Sequence, residues 1–250
     1  MLVDTHCHLD MVDVEGALQR MIDTGVGRAV TIGVDLASSE WAVRAADEHP
    51  ELWATVGLHP HDAKDRTDAL MARLEELAAH PRVVGVGEAG LDYHYDNSPR
   101  EMQRASFAEH IALAKRTGKA LVIHSRDAWE DTFAILEAEG APSRTVFHCW
   151  SGDETHARRA VSLGAVLSFS GTVTFRNAGD LRAAAHATPI ESIVVETDAP
   201  FLTPHPHRGK KNEPAYVRHV AEEIARVKAV PIEEIERVTT ANASTLFGWT

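Results

Sequence analysis

The stretch VDTHCHLD, residues 3–10, closes the first apolar segment of the chain with two histidines one residue apart. Successive side chains of a strand point to opposite faces, so Asp4, His6 and His8 share one face while Thr5 and Cys7 take the other. Two imidazoles therefore converge at the C-terminal end of a strand. No glycine-rich phosphate loop follows, which argues against a doubly wound open sheet. A barrel of parallel strands is the architecture that would collect such a strand end with others at one mouth.

Outward from this stretch, seven more short β-branched segments recur: RAVTIGV (28–34), LWATVGLH (52–59), RVVGVGE (82–88), ALVIH (120–124), TVFHC (145–149), AVLSFSG (165–171) and SIVVETD (192–198). Between them lie helical patterns such as VEGALQRMIDTG, SSEWAVRAADEH and DALMARLEELAAH, with apolar residues at three- and four-residue spacing and Gly or Pro at several ends. Strand followed by helix, eight times over, predicts an α/β fold of the (β/α)8 TIM-like barrel type, a single domain over residues 1–250. After the eighth segment the loop APFLTPHPHRGKKNEP is too long for a simple connection, and long loops in compact domains are often functional.

Composition narrows the possibilities. Hydrophobic residues at 44% and charged residues at 25% are ordinary for a folded globular chain. A formal charge of −12 argues against a sequence-independent nucleic-acid coat protein, which needs many Lys and Arg contacts to phosphate. Catalysis on nucleic acid stays open, because bound divalent cations and a local basic loop reverse the field inside one cleft. With no leader-like segment and no apolar run of spanning length, the expectation is a cytoplasmic protein without membrane contact, monomeric by default. The two cysteines, Cys7 and Cys149, form no disulfide framework and read as wall-packing residues.

The strand ends carry His6 and His8, His59, Glu88, His124, His148 and Asp198. Neutral imidazoles and carboxylates together are the ligand set of a divalent transition metal, and even without His59 the six remaining groups exceed the need of one four-coordinate ion with an open position. Two metals are expected, with a carboxylate such as Glu88 bridging them through its two oxygens. Paired metals about 3.5–4 Å apart hold a shared hydroxide and clamp attacking and leaving oxygens, which is hydrolytic chemistry.

DTHCHLD, VGLHPHDA, VGEAGLDYHYD, VIHSRDA, FHCWSG, ETDAPFLTP and RGKKNEP, in this order along the chain, resemble the TatD family of metal-dependent deoxyribonucleases in the amidohydrolase superfamily. The resemblance implies one metal site from His6, His8, Glu88 and Asp198 and a second from His124 and His148, with Glu88 bridging and His59 in the catalytic pocket. It also implies a TIM-like barrel and 3′-to-5′ exonuclease or other phosphodiesterase activity. Trp150 stands where Phe is commoner in the family.

Parity adds support from the residues alone. Glu88 shares a strand face with Val84 and Val86, and His124 with Val122, and branched apolar residues fill barrel interiors. Asp4 lies below His6 and either orients an imidazole or makes a buried structural hydrogen bond; Glu196 shares a face with Asp198. Asp198 is the expected proton acceptor for the nucleophile, Glu88 the bridging carboxylate, and His59 a contact to the phosphate or leaving oxygen. Arg208 and Arg126 are candidate phosphate contacts, with Lys210 and Lys211 weaker ones, and Tyr93 and Trp150 candidate base-stacking surfaces. The cofactors expected are two divalent ions, magnesium, manganese or zinc, and the expected substrate is DNA, with RNA also open. The competing expectation is a hydrolase of the same superfamily acting on another ester, amide or lactone, such as an aminoacyl-tRNA ester. A silent scaffold fits less well, because a structural metal site is closed by four ligands and has no exposed mouth.

Overall fold

In the computed structural model, which describes residues 1–249, eight parallel strands lie in one sheet in strict chain order. They are β1 (Leu2–Cys7), β2 (Val26–Ile32), β3 (Leu52–Val56), β4 (Val83–Asp92), β5 (Ala120–Arg126), β6 (Thr145–Phe147), β7 (Val166–Phe169) and β8 (Ile193–Val195). Helices alternate with them: α1 (Val14–Asp23), α2 (Leu36–Glu48), α3 (Asp68–Ala78), α4 (Arg100–Thr117), α5 (Trp129–Glu139), α6 (Glu154–Ser162), α7 (Gly179–Ala187), α8 (Val217–Lys228) and α9 (Ile232–Phe247). Closure falls on β1 and the chain just past β8: the Asp198 amide donates to the His6 carbonyl at 2.9 Å and the His8 amide to the Ala199 carbonyl at 2.7 Å. The barrel seam is thus sewn by the same residues that carry the first histidine pair and Asp198. No described helix is long and apolar enough to cross a membrane.

Local chemistry starts and stops the helices. Asp35 accepts the Ser38 amide and Ser38 returns the bond to the Asp35 amide at the head of α2, while Thr67 and Asp153 cap α3 and α6. Each such cap contributes about 1 kcal/mol. α4 ends at Gly118 in the left-handed conformation.

Two apolar layers result. Val3, Val30, Ile32, Val84, Val122, Val146 and Val194 fill the barrel interior, and Ala243, Leu246 and Phe247 of α9 join them with Trp249. Trp249 stacks on Trp53 at 5.4 Å between ring centres, so the C-terminal segment plugs one end of the barrel and leaves polar groups to the other. Outside the barrel, strand residues such as Leu52, Leu121 and Phe147 share a second apolar layer with helix residues such as Phe107 of α4 and Phe133 of α5.

Strand alternation explains the inner layer except in β4. Val84 faces the interior, but Val86 packs in the outer layer, so Glu88 does not share its face with both as parity predicts. The register slips once beside Val84 and again between Val86 and Ala89, and the two slips return Glu88 to the axis side. Glycine permits the close approach the second slip needs: a Cβ on Gly87, at φ +133°, would sit 2.3 Å from the Val122 carbonyl oxygen.

Candidate metal centre

His6 lies inside β1 and His124 inside β5, whereas His8, His59, His148 and Asp198 lie just past the ends of β1, β3, β6 and β8. The mouth therefore draws donors from six strands. Glu88 is buried at their centre, and its two carboxylate oxygens face different partners. Oε2 lies 3.3 Å from His6 Nε2 and 4.0 Å from His8 Nε2. Oε1 lies 2.7 Å from His124 Nδ1, 2.8 Å from His148 Nε2 and 3.4 Å from His59 Nε2. Asp198 Oδ1 completes the first group at 3.4 Å from His8 Nε2 and 3.7 Å from His6 Nε2.

This donor set fits divalent metal. His6 is fully buried, yet neither of its ring nitrogens has a hydrogen-bond partner among the described residues, an arrangement costly for a polar ring unless a cation completes it. Three groupings bring nitrogen and carboxylate oxygen within reach of one ion: His6, His8 and Asp198; His59, Glu88 and His124; and His6, His148 and Glu196.

The outer hydrogen bonds have the form that orients metal-binding imidazoles. His148 turns Nδ1 toward Glu196 Oε1 at 3.3 Å, leaving Nε2 for the centre. Glu196 also accepts the Cys149 amide at 2.7 Å. His124 turns Nε2 to Asp92 Oδ2 at 3.1 Å and Nδ1 to the centre. Asp92 Oδ2 also meets His61 Nε2 at 3.0 Å, and its Oδ1 accepts the amides of His94 and Tyr95. Asp92 and His61 are thus part of the site, although sequence reasoning passed over both. Asp92 lies inside GLDYHYD, two residues upstream of the turn it caps, and an Asp accepting amides two and three residues on is a recognisable turn signal. Asp4 makes the structural bond of the two it was allowed: it accepts the Thr197 hydroxyl, the Thr197 amide at 2.8 Å and the His6 amide.

Burial and charge set the protonation states. Burial lowers His59 to about 4, outweighing the pull of Glu88, so this ring is neutral at pH 7. Its Nδ1 accepts the His61 amide at 3.2 Å, which puts the proton of the neutral ring on Nε2, facing Glu88. His59 is therefore a hydrogen-bond donor into the site. Burial also opposes charge on His148, but the Glu88 and Glu196 carboxylates outweigh it and hold the ring well above the usual histidine value. His8 and His124 are raised against the same desolvation, by Asp198 and by Asp92 with Glu88. Glu88 and Asp198, though buried, are held below the ordinary carboxylate values by these imidazoles. Asp4, with no such cation, is pushed up to about 8 by burial. Burial drives the Cys149 thiol to about 12, consistent with an inert wall residue.

The remaining predicted contacts separate. Arg126, exposed and two residues past His124 on the same face of β5, stacks over Tyr95 at 4.9 Å and has no carboxylate partner among the described residues. Arg208 lies over Phe175 at 4.0 Å and donates to the Thr203 carbonyl, and Lys211 donates to the Met11 carbonyl. Trp150 is not brought to the mouth: it is 1% exposed, packed edge-on to Phe147 and 4.7 Å from Trp129, because the chain turns it toward the outer layer. Tyr93 is likewise committed elsewhere, with Arg100 over its ring and its hydroxyl donating to Asp131.

The family model described as TatD related DNase matches residues 3–248. The chain belongs to the TatD family. Among TatD-family relatives, an uncharacterized metal-dependent hydrolase, TatD, from Mycobacterium tuberculosis is 45% identical, over 99% of this chain and 98% of that protein. Another, YabD of Bacillus subtilis, is 43% identical over 99% of each. The crystal structure of the TatD homologue YJJV from Escherichia coli superposes with a TM-score of 0.94 at 29% identity, over 100% of this chain and 98% of that one. The barrel and its family are therefore those the strand-end motifs indicate.

Proposed function

We propose that this protein is a divalent-metal-dependent deoxyribonuclease of the 3′-to-5′ exonuclease type, with RNA ends as further substrates. The family model's description and the metal-dependent hydrolases among the relatives support the hydrolase reading. The observation that carries it is the division of Glu88, whose Oε2 faces His6 and His8 and whose Oε1 faces His124 and His148 at the barrel mouth. A carboxylate so placed suits a bridge between two ions, with His6, His8 and Asp198 as further donors on one side and His124 and His148 on the other.

When bound, the cations would acidify a water and neutralise charge on a phosphoryl group. The protein's own residues supply the rest. Asp198, kept ionised by its facing imidazoles, accepts the proton of the attacking water. His59, neutral with Nε2 protonated, donates a hydrogen bond to a phosphoryl or leaving oxygen. Glu196 and Asp92 hold His148 and His124 in the orientation the centre needs. Arg126 meets a phosphate of the strand beyond the scissile bond. Four imidazole donors favour zinc or manganese over magnesium, which prefers oxygen ligands.

The test is a time course on a 5′-labelled single-stranded oligodeoxynucleotide, using stripped protein refilled separately with magnesium, manganese or zinc, and Asp198→Asn as control. The reading expects a ladder shortening from the 3′ end that the variant does not make. Folded, metal-loaded protein that cuts no nucleic acid yet hydrolyses an aminoacyl ester would replace it with the nonphosphate hydrolase.

A further inference from the structure

Nucleobases of any sequence bind proteins through their faces, and aromatic side chains are the usual platforms. Of seven Phe, five Trp and three Tyr in the chain, two are exposed: Tyr95 at 55% and Phe201 at 49%. Both abut the candidate metal centre, one beside each of its halves. The Phe201 ring lies 6.0 Å from that of His8, whose Nε2 faces Glu88 Oε2 and Asp198. The Tyr95 ring lies 5.5 Å from that of His61, which neighbours His59 at 4.3 Å and, through Asp92, His124. An exposed aromatic is unremarkable alone, but here the two exposed rings flank the one carboxylate on which the donor groups converge.

Both rings stand on held backbone. Asp92 accepts the Tyr95 amide with the same carboxylate that orients His124. The Phe201 amide donates to the Asp198 carbonyl, and the buried Asn212 side chain donates to the Phe201 carbonyl at 2.6 Å and to the Thr197 carbonyl at 2.8 Å. Each platform is thereby tied to the half of the centre it adjoins. On the Tyr95 side the exposed guanidinium of Arg126 lies 4.9 Å from the ring centre, a cation beside the ring.

We propose that Tyr95 and Phe201 are the nucleobase platforms of this site, one for the base on each side of the scissile phosphodiester. The proposal rests on the phosphodiesterase reading above. It makes the smallest well-bound substrate a dinucleotide unit with both flanking bases unstacked from their neighbours, and it assigns to Tyr95 and Phe201 the recognition expected from sequence at Tyr93 and Trp150.

The experiment compares metal-loaded wild type, Phe201→Ala, Tyr95→Ala, Phe201→Trp and Tyr95→Phe on two short oligothymidylates. One carries all its bases, and the other has abasic residues on both sides of the cleaved bond. The quantity read is the ratio of kcat/KM, base-bearing to abasic, with anisotropy of a labelled oligothymidylate on the Asp198→Asn background as a binding measure. Each alanine variant is expected to lower the ratio about tenfold and to weaken binding similarly, while the aromatic replacements keep both. A ratio unchanged by the alanine variants, even if both rates fall, means that the rings only support His8 and His61 and overturns the proposal. A wild-type ratio near one overturns it while leaving the phosphodiesterase reading intact. Failure of the wild type to cut either strand overturns both.

Discussion

Asp92 offers the sharpest perturbation of the centre, because one carboxylate oxygen meets both His124 Nε2 and His61 Nε2 while the other accepts two amides. Replacement by Asn keeps the shape. The oxygen that caps the turn can stay an acceptor, but the position facing His124 becomes an amide NH2, which only donates. His124 must then present an unprotonated Nε2, and its single remaining proton moves to Nδ1, the nitrogen that faces Glu88 at 2.7 Å. A protonated Nδ1 cannot ligate. Loss of an orienting partner of this kind costs 10–100-fold in metal affinity, about 1.4–2.7 kcal/mol. The effect falls on the His124 and His148 half, since no hydrogen bond or ion pair joins His6, His8 or Asp198 to Asp92. At limiting free zinc, the wild type is expected to retain two metal equivalents and Asp92→Asn about one, measured by elemental analysis after equilibrium dialysis, with affinities from chelator competition. An unchanged second affinity in a folded variant would refute the tautomer argument, and equal weakening of both sites would refute the division of the centre at Glu88.

Three further expectations follow from the same structure. Glu88→Ala should remove activity while leaving circular dichroism and melting cooperative, since both halves of the centre lose their shared oxygen donor; retention of more than a tenth of the rate would contradict a bridging carboxylate. His110, fully buried on α4, accepts the Leu58 amide at 3.0 Å, and burial lowers its pKa below 6.5. The unfolded chain then binds the extra proton first, so this group's contribution to stability is complete above about pH 6.5 and is lost as pH falls through that value toward the folded pKa. In chelator, His110→Gln should show a smaller drop in Tm between pH 7 and 5 than the wild type; parallel curves would rule out His110 as a source of the acid sensitivity. Trp249→Ala should cost about 3 kcal/mol or more in denaturant unfolding, because it empties the stack on Trp53 and Phe247 that plugs the barrel, with little change in metal content of the folded fraction. A loss under 1 kcal/mol would mean the plug is not part of the core.

What the sequence determined by itself was the repeated alternation of β-branched and helical segments and the set of histidines and carboxylates at their ends. Both are local properties: strand period, helix period and the chemistry of a side chain are written residue by residue, so eight strands and their mouth were legible in VDTHCHLD, RVVGVGE, ALVIH and their neighbours. The tertiary structure decided what depends on distant chain segments meeting. Glu88 reaches the axis through two register slips that cancel, which simple alternation does not encode. Asp92 enters the site because β4 runs four residues beyond Glu88, bringing a carboxylate beside histidines from β5 and from the loop after β3. Trp150, next to Cys149 in sequence, turns to the outer layer, while Tyr95 and Phe201, which lie within GLDYHYD and ETDAPFLTP but carry no local sign of their exposure, stand exposed beside the donors. Exposure and facing are set by which neighbours cover a side chain, and those neighbours lie tens to hundreds of residues away along the chain.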